Sequence, residues 1–143
     1  MGHMDTIFLS GEFDHTLDPK GRVTLPARYR EYFNDGVVLV LLPDRDPCIS
    51  VFRRDSWKQF DAKNVEPLDV FGDEDDRWTQ RDIYTKMDEV DPDGQGRVLI
   101  SAPRIKELGL SGKVKIVGNR TCLEIWNPAT LAEVQERRRG GNA

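Results

Sequence analysis

Two arginines stand four residues after an aspartate: Asp18-Pro19-Lys20-Gly21-Arg22, and, 75 residues on, Asp93-Gly94-Gln95-Gly96-Arg97. Arginine stays charged at any ordinary pH. Its planar fork of donors matches either a phosphate or the O6/N7 edge of guanine. Asp, Pro and Gly at the first, second and fourth places suit a type I turn, so Gly21 closes the first turn and Gly96 the second. Asp18 and Asp93 can cap turn amides or hold the guanidinium, limiting its rotamers before any ligand arrives. Where the first turn has Pro19-Lys20 the second has Gly94-Gln95, a softer turn with one cation fewer. A lone Asp–Arg pair would be a surface staple worth ~0–1 kcal/mol. Its repetition, each time directly before a strand and among basic residues, points instead to anion binding.

Other chemistries fit poorly. Asp91, Asp93 and Gln95 open like a calcium loop, but the twelfth position is Ala102, where a bidentate glutamate is needed. His15 is the only histidine beyond residues 1–3, so no histidine triad or multi-histidine metal site can be assembled. Cys48 and Cys122 lack CxxC spacing and each opens a short apolar strand, CISVF and CLEIW, as buried thiols do. No Gly-rich phosphate cradle or nucleophile elbow is present. An enzyme is not expected, nor is a cofactor or metal.

The elements that must position the arginines also recur. After each turn comes Gly-Arg-Val and an apolar alternation (Val23/Leu25, Val98/Ile100). A short stretch with helical spacing near a proline follows (Pro26, Pro103), then a β-rich run, GVVLVLL from 36 and KVKIVG from 113. CISVFRRDSW then matches CLEIWNPATL, where Asn127-Pro128 reads as the N-cap and first turn of a closing helix. One such unit of about 45 residues buries too little apolar surface to fold alone, so two related by a pseudo-twofold should share a barrel-like core. The expected organisation is an expression scar at 1–3, a first repeat at 7–60, an acidic connector at 61–88, a second repeat at 89–134 and a disordered tail at 135–143. DVFGDEDD in the connector reads as an exposed loop, and RWTQRDIYTKM as a candidate helix.

Only 38% of the 143 residues are hydrophobic and 32% are charged, which suits a chain whose core is completed by other copies of itself. No apolar run approaches the ~18–20 residues that span a bilayer, and no signal-peptide pattern is present, so a cytoplasmic protein with no membrane partner is expected. The net charge of −4 conceals segregation. Residues 61–93 carry twelve acids and four bases, whereas 15–32 carry four bases and two acids, and 94–120 six bases and one acid. Both motifs therefore sit in basic islands able to bind phosphate.

At these residues, from about Phe8 to Val134, the chain resembles the MraZ family. The resemblance rests on GEFDHTLDPKGRVTLPARYRE, on DGQGRVLI, and on VKIVGN and LEIW near the end. It implies a β-rich α+β fold of two fused SpoVT–AbrB-type units, tandem swapped-hairpin β-barrel repeats with pseudo-twofold symmetry and short peripheral helices. It also implies a nucleoid-associated, DNA-binding transcriptional regulator of its own operon in the division and cell-wall gene cluster. Such a regulator assembles as a ring-shaped homo-oligomer, an octamer or dodecamer, on direct repeats in promoter double-stranded DNA. Asp18, Arg22, Asp93 and Arg97 fall on the family's motif positions, with Lys20 inside the first. Lys20, Arg22, Arg97 and Arg28 are the expected DNA contacts, oriented by Asp18, Asp93, Gly21 and Gly96. SAPRIKE follows the second motif where the family often has a proline pair and then Leu-Arg. The alternative is an antitoxin-like protein-interaction module of the same fold, binding through its connector or closing helix.

Overall fold

A computed structural model describes residues 7–68 and 71–140. The chain order is β1 (Glu12–Thr16), β2 (Arg22–Thr24), a 3-10 turn (Ala27–Tyr29), β3 (Val37–Val40), β4 (Ile49–Arg53) and α1 (Arg54–Asn64). Then come α2 (Glu74–Thr85), β5 (Met87–Val90), β6 (Arg97–Leu99), α3 (Ala102–Leu108), β7 (Lys113–Asn119), β8 (Cys122–Trp126) and α4 (Pro128–Gly140). Apart from α2, each element after α1 has a counterpart before it.

Six strands form one antiparallel sheet in the order β1-β7-β8-β4-β3-β5. Exchanging each strand for its repeat partner leaves that order unchanged, with the exchange axis between β8 and β4. The opening strand of each repeat thus pairs with the other repeat: β1 with β7 and β5 with β3. β2 and β6 leave the large sheet and pair with each other, forming a two-stranded ribbon. In it Val23 faces its own counterpart Val98, as a local twofold requires. Equivalent bonds flank the ladder, Leu25 N–H to the Gly96 carbonyl (2.9 Å) and Ile100 N–H to the Gly21 carbonyl (2.8 Å).

The expected closed barrel is not found among the described residues. The large sheet is open, with β1 and β5 at its edges, because the tight turns that follow those strands carry the chain out into the separate ribbon. Both edges carry acids, Glu12 and Asp14 on β1, Asp88 and Glu89 on β5, which discourages edge-to-edge pairing.

β3 reads VVLV because both of its faces are covered. Val37 and Leu39 join Val51, Ile116, Leu123 and the ribbon's inner residues in the main core. Val38 and Val40 pack with Phe52 and with Trp57 and Ile83 from α1 and α2. A third cluster places Leu131 of α4 against Cys48 and Trp126. Both cysteines are buried and free, and burial pushes their thiols up, that of Cys122 to about 12.

Of the acidic stretch DVFGDEDD read as a loop, residues 71–73 lie outside any helix, 74–76 start α2, and 69–70 lie outside the described residues. Asp73 N-caps α2 by accepting the Asp76 N–H at 2.8 Å, and Glu74, Asp75 and Asp76 sit where the helix dipole favours acids. Residues 135–140, assigned on sequence to a disordered tail, continue α4; residues 1–3 and 141–143 lie outside the described residues. Among the described residues no helix is long and apolar enough to cross a membrane.

Candidate nucleic-acid interface

Both Asp-x-x-x-Arg segments fold into the same turn. Gly21 N–H donates to the Asp18 carbonyl (2.9 Å) and Asp18 N–H to the Arg22 carbonyl (2.9 Å); the Gly96–Asp93 and Asp93–Arg97 bonds repeat this at 2.9 Å each. Gly21 (φ 84°) and Gly96 (φ 75°) have left-handed backbone, which any Cβ would penalise.

Each aspartate ties turn to arginine. Asp18 Oδ1 accepts the backbone N–H of Lys20 (2.9 Å) and Arg22 (2.8 Å), and Oδ2 accepts Arg22 Nε–H (2.8 Å). Asp93 does the same with Gln95 (2.9 Å), Arg97 N–H (2.9 Å) and Arg97 Nε–H (2.7 Å). The backbone N–H of the arginine is the largest influence holding each carboxyl below its usual range, Asp93 at about 2. Nε is the atom that each arginine commits to its aspartate. Among the described residues no hydrogen bond takes up the Nη groups of either arginine.

The ribbon register decides where the two forks lie. Val23 and Val98 are wholly buried, so the alternate positions, Arg22, Thr24, Arg97 and Leu99, face outward together. Arg22 stands opposite Leu99 and Arg97 opposite Thr24, which makes the arginines a diagonal pair with Cα atoms about 7–8 Å apart. Their side chains are 28% and 27% exposed, reachable but supported. The two turns close opposite ends of one ribbon and present both guanidiniums on one face.

Lys20 is exposed at the first turn, with no ion-pair partner among the described residues. Arg28 is exposed on the 3-10 turn, its guanidinium 5.7 Å from the Tyr29 ring centroid. No described contact ties it to either aspartate.

Arg30 was missed as a site residue on sequence. Its Cδ lies 2.8 Å from where a Cβ on Gly96 would be, so this first-repeat side chain covers the second repeat's turn. At the first turn, Ile105 Cδ1 occupies the matching place, 3.1 Å from a Cβ on Gly21. Arg30 and Ile105 are themselves 75 residues apart. That offset, combined with an exchanged ribbon, was the available signal. The second turn, short of a lysine, thus gains a cation from the other repeat.

A family model described as "MraZ protein, putative antitoxin-like" matches residues 8–81 and 83–139. The chain belongs to the MraZ family. Curated relatives named transcriptional regulator MraZ include one from Roseiflexus castenholzii, 36% identical over 118 residues, 82% of this chain and 80% of the relative. One from Thermomicrobium roseum is 35% identical over 126 residues, 88% of this chain and 86% of the relative. One from Saccharopolyspora erythraea is 40% identical over 111 residues, 78% and 75% of the two chains. In this MraZ chain both motif arginines open the strands of one two-stranded ribbon, and both motif aspartates stand in the turns that precede them.

Proposed function

We propose that this protein is a sequence-specific DNA-binding transcriptional regulator that grips promoter DNA through the outer face of the β2–β6 ribbon. The observation that carries the reading is the common outward direction of two aspartate-held arginines whose Nη donors meet no hydrogen-bond acceptor among the described residues. The names of its relatives support the regulatory role. A two-stranded ribbon fits the major groove, where an arginine fork can meet guanine O6 and N7. Arg22 and Arg97 are the base-reading candidates; Lys20, Arg28 and Arg30 supply phosphate contacts that fix register.

One ribbon offers few contacts, so a single chain binds weakly. A homo-oligomeric ring, an octamer or dodecamer, would set ribbons side by side and engage direct repeats with avidity when repeat spacing matches subunit spacing. We take the natural target to be the protein's own division and cell-wall operon, which places it at the nucleoid. The palindromic strand order supports reading residues 7–60 and 89–134 as interlocked swapped-hairpin repeats, with 61–88 as connector. The family description also favours a second reading, an antitoxin-like module binding a protein partner. A stoichiometric partner on purification and no DNA shift would select it.

The test is binding to promoter DNA bearing direct repeats, measured across salt concentrations for wild type, Arg22→Ala and Arg97→Ala. Each substitution should weaken binding at least tenfold, and log K should fall steeply with log salt. Unchanged affinity in both variants would remove the ribbon from the interface.

A further inference from the structure

On the far side of the large sheet from the ribbon lies a cavity of about 360 Å³ that nothing in the regulatory reading uses. Its floor is the central β4–β8 ladder, where Ser50 stands opposite Glu124 and the first repeat meets the second. One wall is aromatic: Phe52 of β4 and Phe60 of α1, ring centroids 5.3 Å apart. The rim is charged and comes from two loops, Arg45 and Asp46 before β4, and Arg120 at the tip of the β7–β8 hairpin.

Two features make this more than a gap. Glu124 is held in place from both sides: Oε1 accepts the Trp126 indole N–H (3.0 Å) and Oε2 accepts an N–H of the Asn119 amide (3.0 Å). Each carboxylate oxygen keeps a free lone pair. Arg120 adopts left-handed backbone (φ 65°), uncommon for a long side chain, and is pinned there by reciprocal backbone bonds with Leu9 (2.8 and 2.9 Å). The cavity thus offers an oriented carboxylate on its floor, two arginines at its rim, the Arg120 guanidinium lying 5.8 Å from the Phe8 ring centroid, and an aromatic wall.

We propose that this cavity binds a small zwitterion of the α-amino-acid class with an apolar side chain. Two arginines and two carboxylates line it, so the site is balanced. A multiply charged anion would meet Glu124 and Asp46, and a simple cation would meet Arg45 and Arg120. An amino acid satisfies both signs, its ammonium donating to Glu124, its carboxylate accepting from Arg120, its side chain against Phe52 and Phe60. The volume, near the low end of the ~300–1,000 Å³ typical of ligand sites, suits one residue rather than a nucleotide. Cys48 and Cys122 line the same space as neutral, buried thiols and add apolar surface.

The test uses the full chain with L-phenylalanine as probe, read by saturation-transfer NMR and equilibrium dialysis. N-acetyl-L-phenylalanine and L-phenylalaninamide, each lacking one charge, are the comparators. Phenylalanine should bind with a Kd of about 1 mM or tighter, and each comparator at least tenfold more weakly. Glu124→Gln and Arg120→Gly should each weaken phenylalanine at least tenfold; glycine keeps the hairpin backbone, so Arg120→Gly folds normally. Absence of saturation transfer at about 10 mM, equal binding of all three compounds, or unchanged binding by Arg120→Gly would each overturn the assignment.

Discussion

The two turns are alike in backbone and different in what surrounds them. Both hold an arginine by Nε to an aspartate and close on a left-handed glycine. The first has its own lysine, with Leu99 opposite its arginine and Ile105 over its glycine. Leu99 is 53% exposed, an apolar group on an otherwise polar face. The second turn has Gln95 in place of the lysine, Thr24 opposite its arginine and Arg30 over its glycine. Read within one repeat, the second motif looks weaker. Read across the exchanged ribbon, each turn has two cations, and what distinguishes them is an apolar flank on the first and a polar flank on the second. An interlocked duplicate can thus diverge in sequence while keeping its charge balanced.

The largest expected effects fall on the motif arginines. Arg22→Ala and Arg97→Ala should each lose about 1.4–3 kcal/mol of binding, at least tenfold in affinity, and to within threefold of each other. A tenfold gap between them would show that one turn dominates. Arg30→Ala should follow, with a several-fold loss spread evenly over sequences and a salt slope shallower by about 0.9 per phosphate released. The exchange Arg30→Ile with Ile105→Arg sharpens the comparison by moving a cation from the second turn to the first, which should weaken Arg97-dependent binding alone.

Substitution of the two glycines should separate stability from binding. Gly21→Ala and Gly96→Ala both force a left-handed alanine, ~1–2 kcal/mol in thermal or denaturant unfolding. Gly21→Ala should cost more, since its methyl meets the Ile100 carbonyl at 3.2 Å and the packed Ile105. Gly96→Ala should cost less stability but more DNA affinity, because it evicts Arg30, whose chain is free to swing away. The opposite ranking would sink the claim that Arg30 serves the second turn.

The smallest effect is with pH. Asp93 is held at about 2 by the Arg97 amide, the Arg97 side chain and the Gln95 amide, and Asp18 is lowered in the same way. A carboxyl whose folded pKa is depressed stabilises fully above its unfolded value and loses that contribution as pH falls towards the folded one. The turns should therefore loosen between about pH 4 and 2, and Asp93→Asn should flatten the stability profile in that window. An unaltered profile would mean that the aspartate does not anchor the second turn.

What could be read from sequence was local. The turns, the duplicated order of elements and the outward arginines follow from Asp, Pro and Gly placement and from alternation around Val23 and Val98. Arg30's position could not be read this way, because it depends on β2 pairing with β6 rather than within its own repeat. The barrel expectation failed for the same long-range reason: strand propensity does not say whether the ribbon rejoins the sheet. The helix start at Glu74 is hidden because an acidic run looks like a solvated loop until the Asp73 carboxylate is seen capping Asp76. The extension of α4 to Gly140 went unread too, although arginines at 137–139 suit a helix C-terminus and Arg139 lies 3.7 Å from Glu136 one turn back.

The most direct test of the shared outward face is hydrogen exchange of the full chain with and without promoter DNA carrying direct repeats. The account predicts added protection at residues 18–24 and 93–99 together, with α1 and α2 unchanged. Protection confined to α4, or to one turn while the other exchanges as in the free protein, would contradict it.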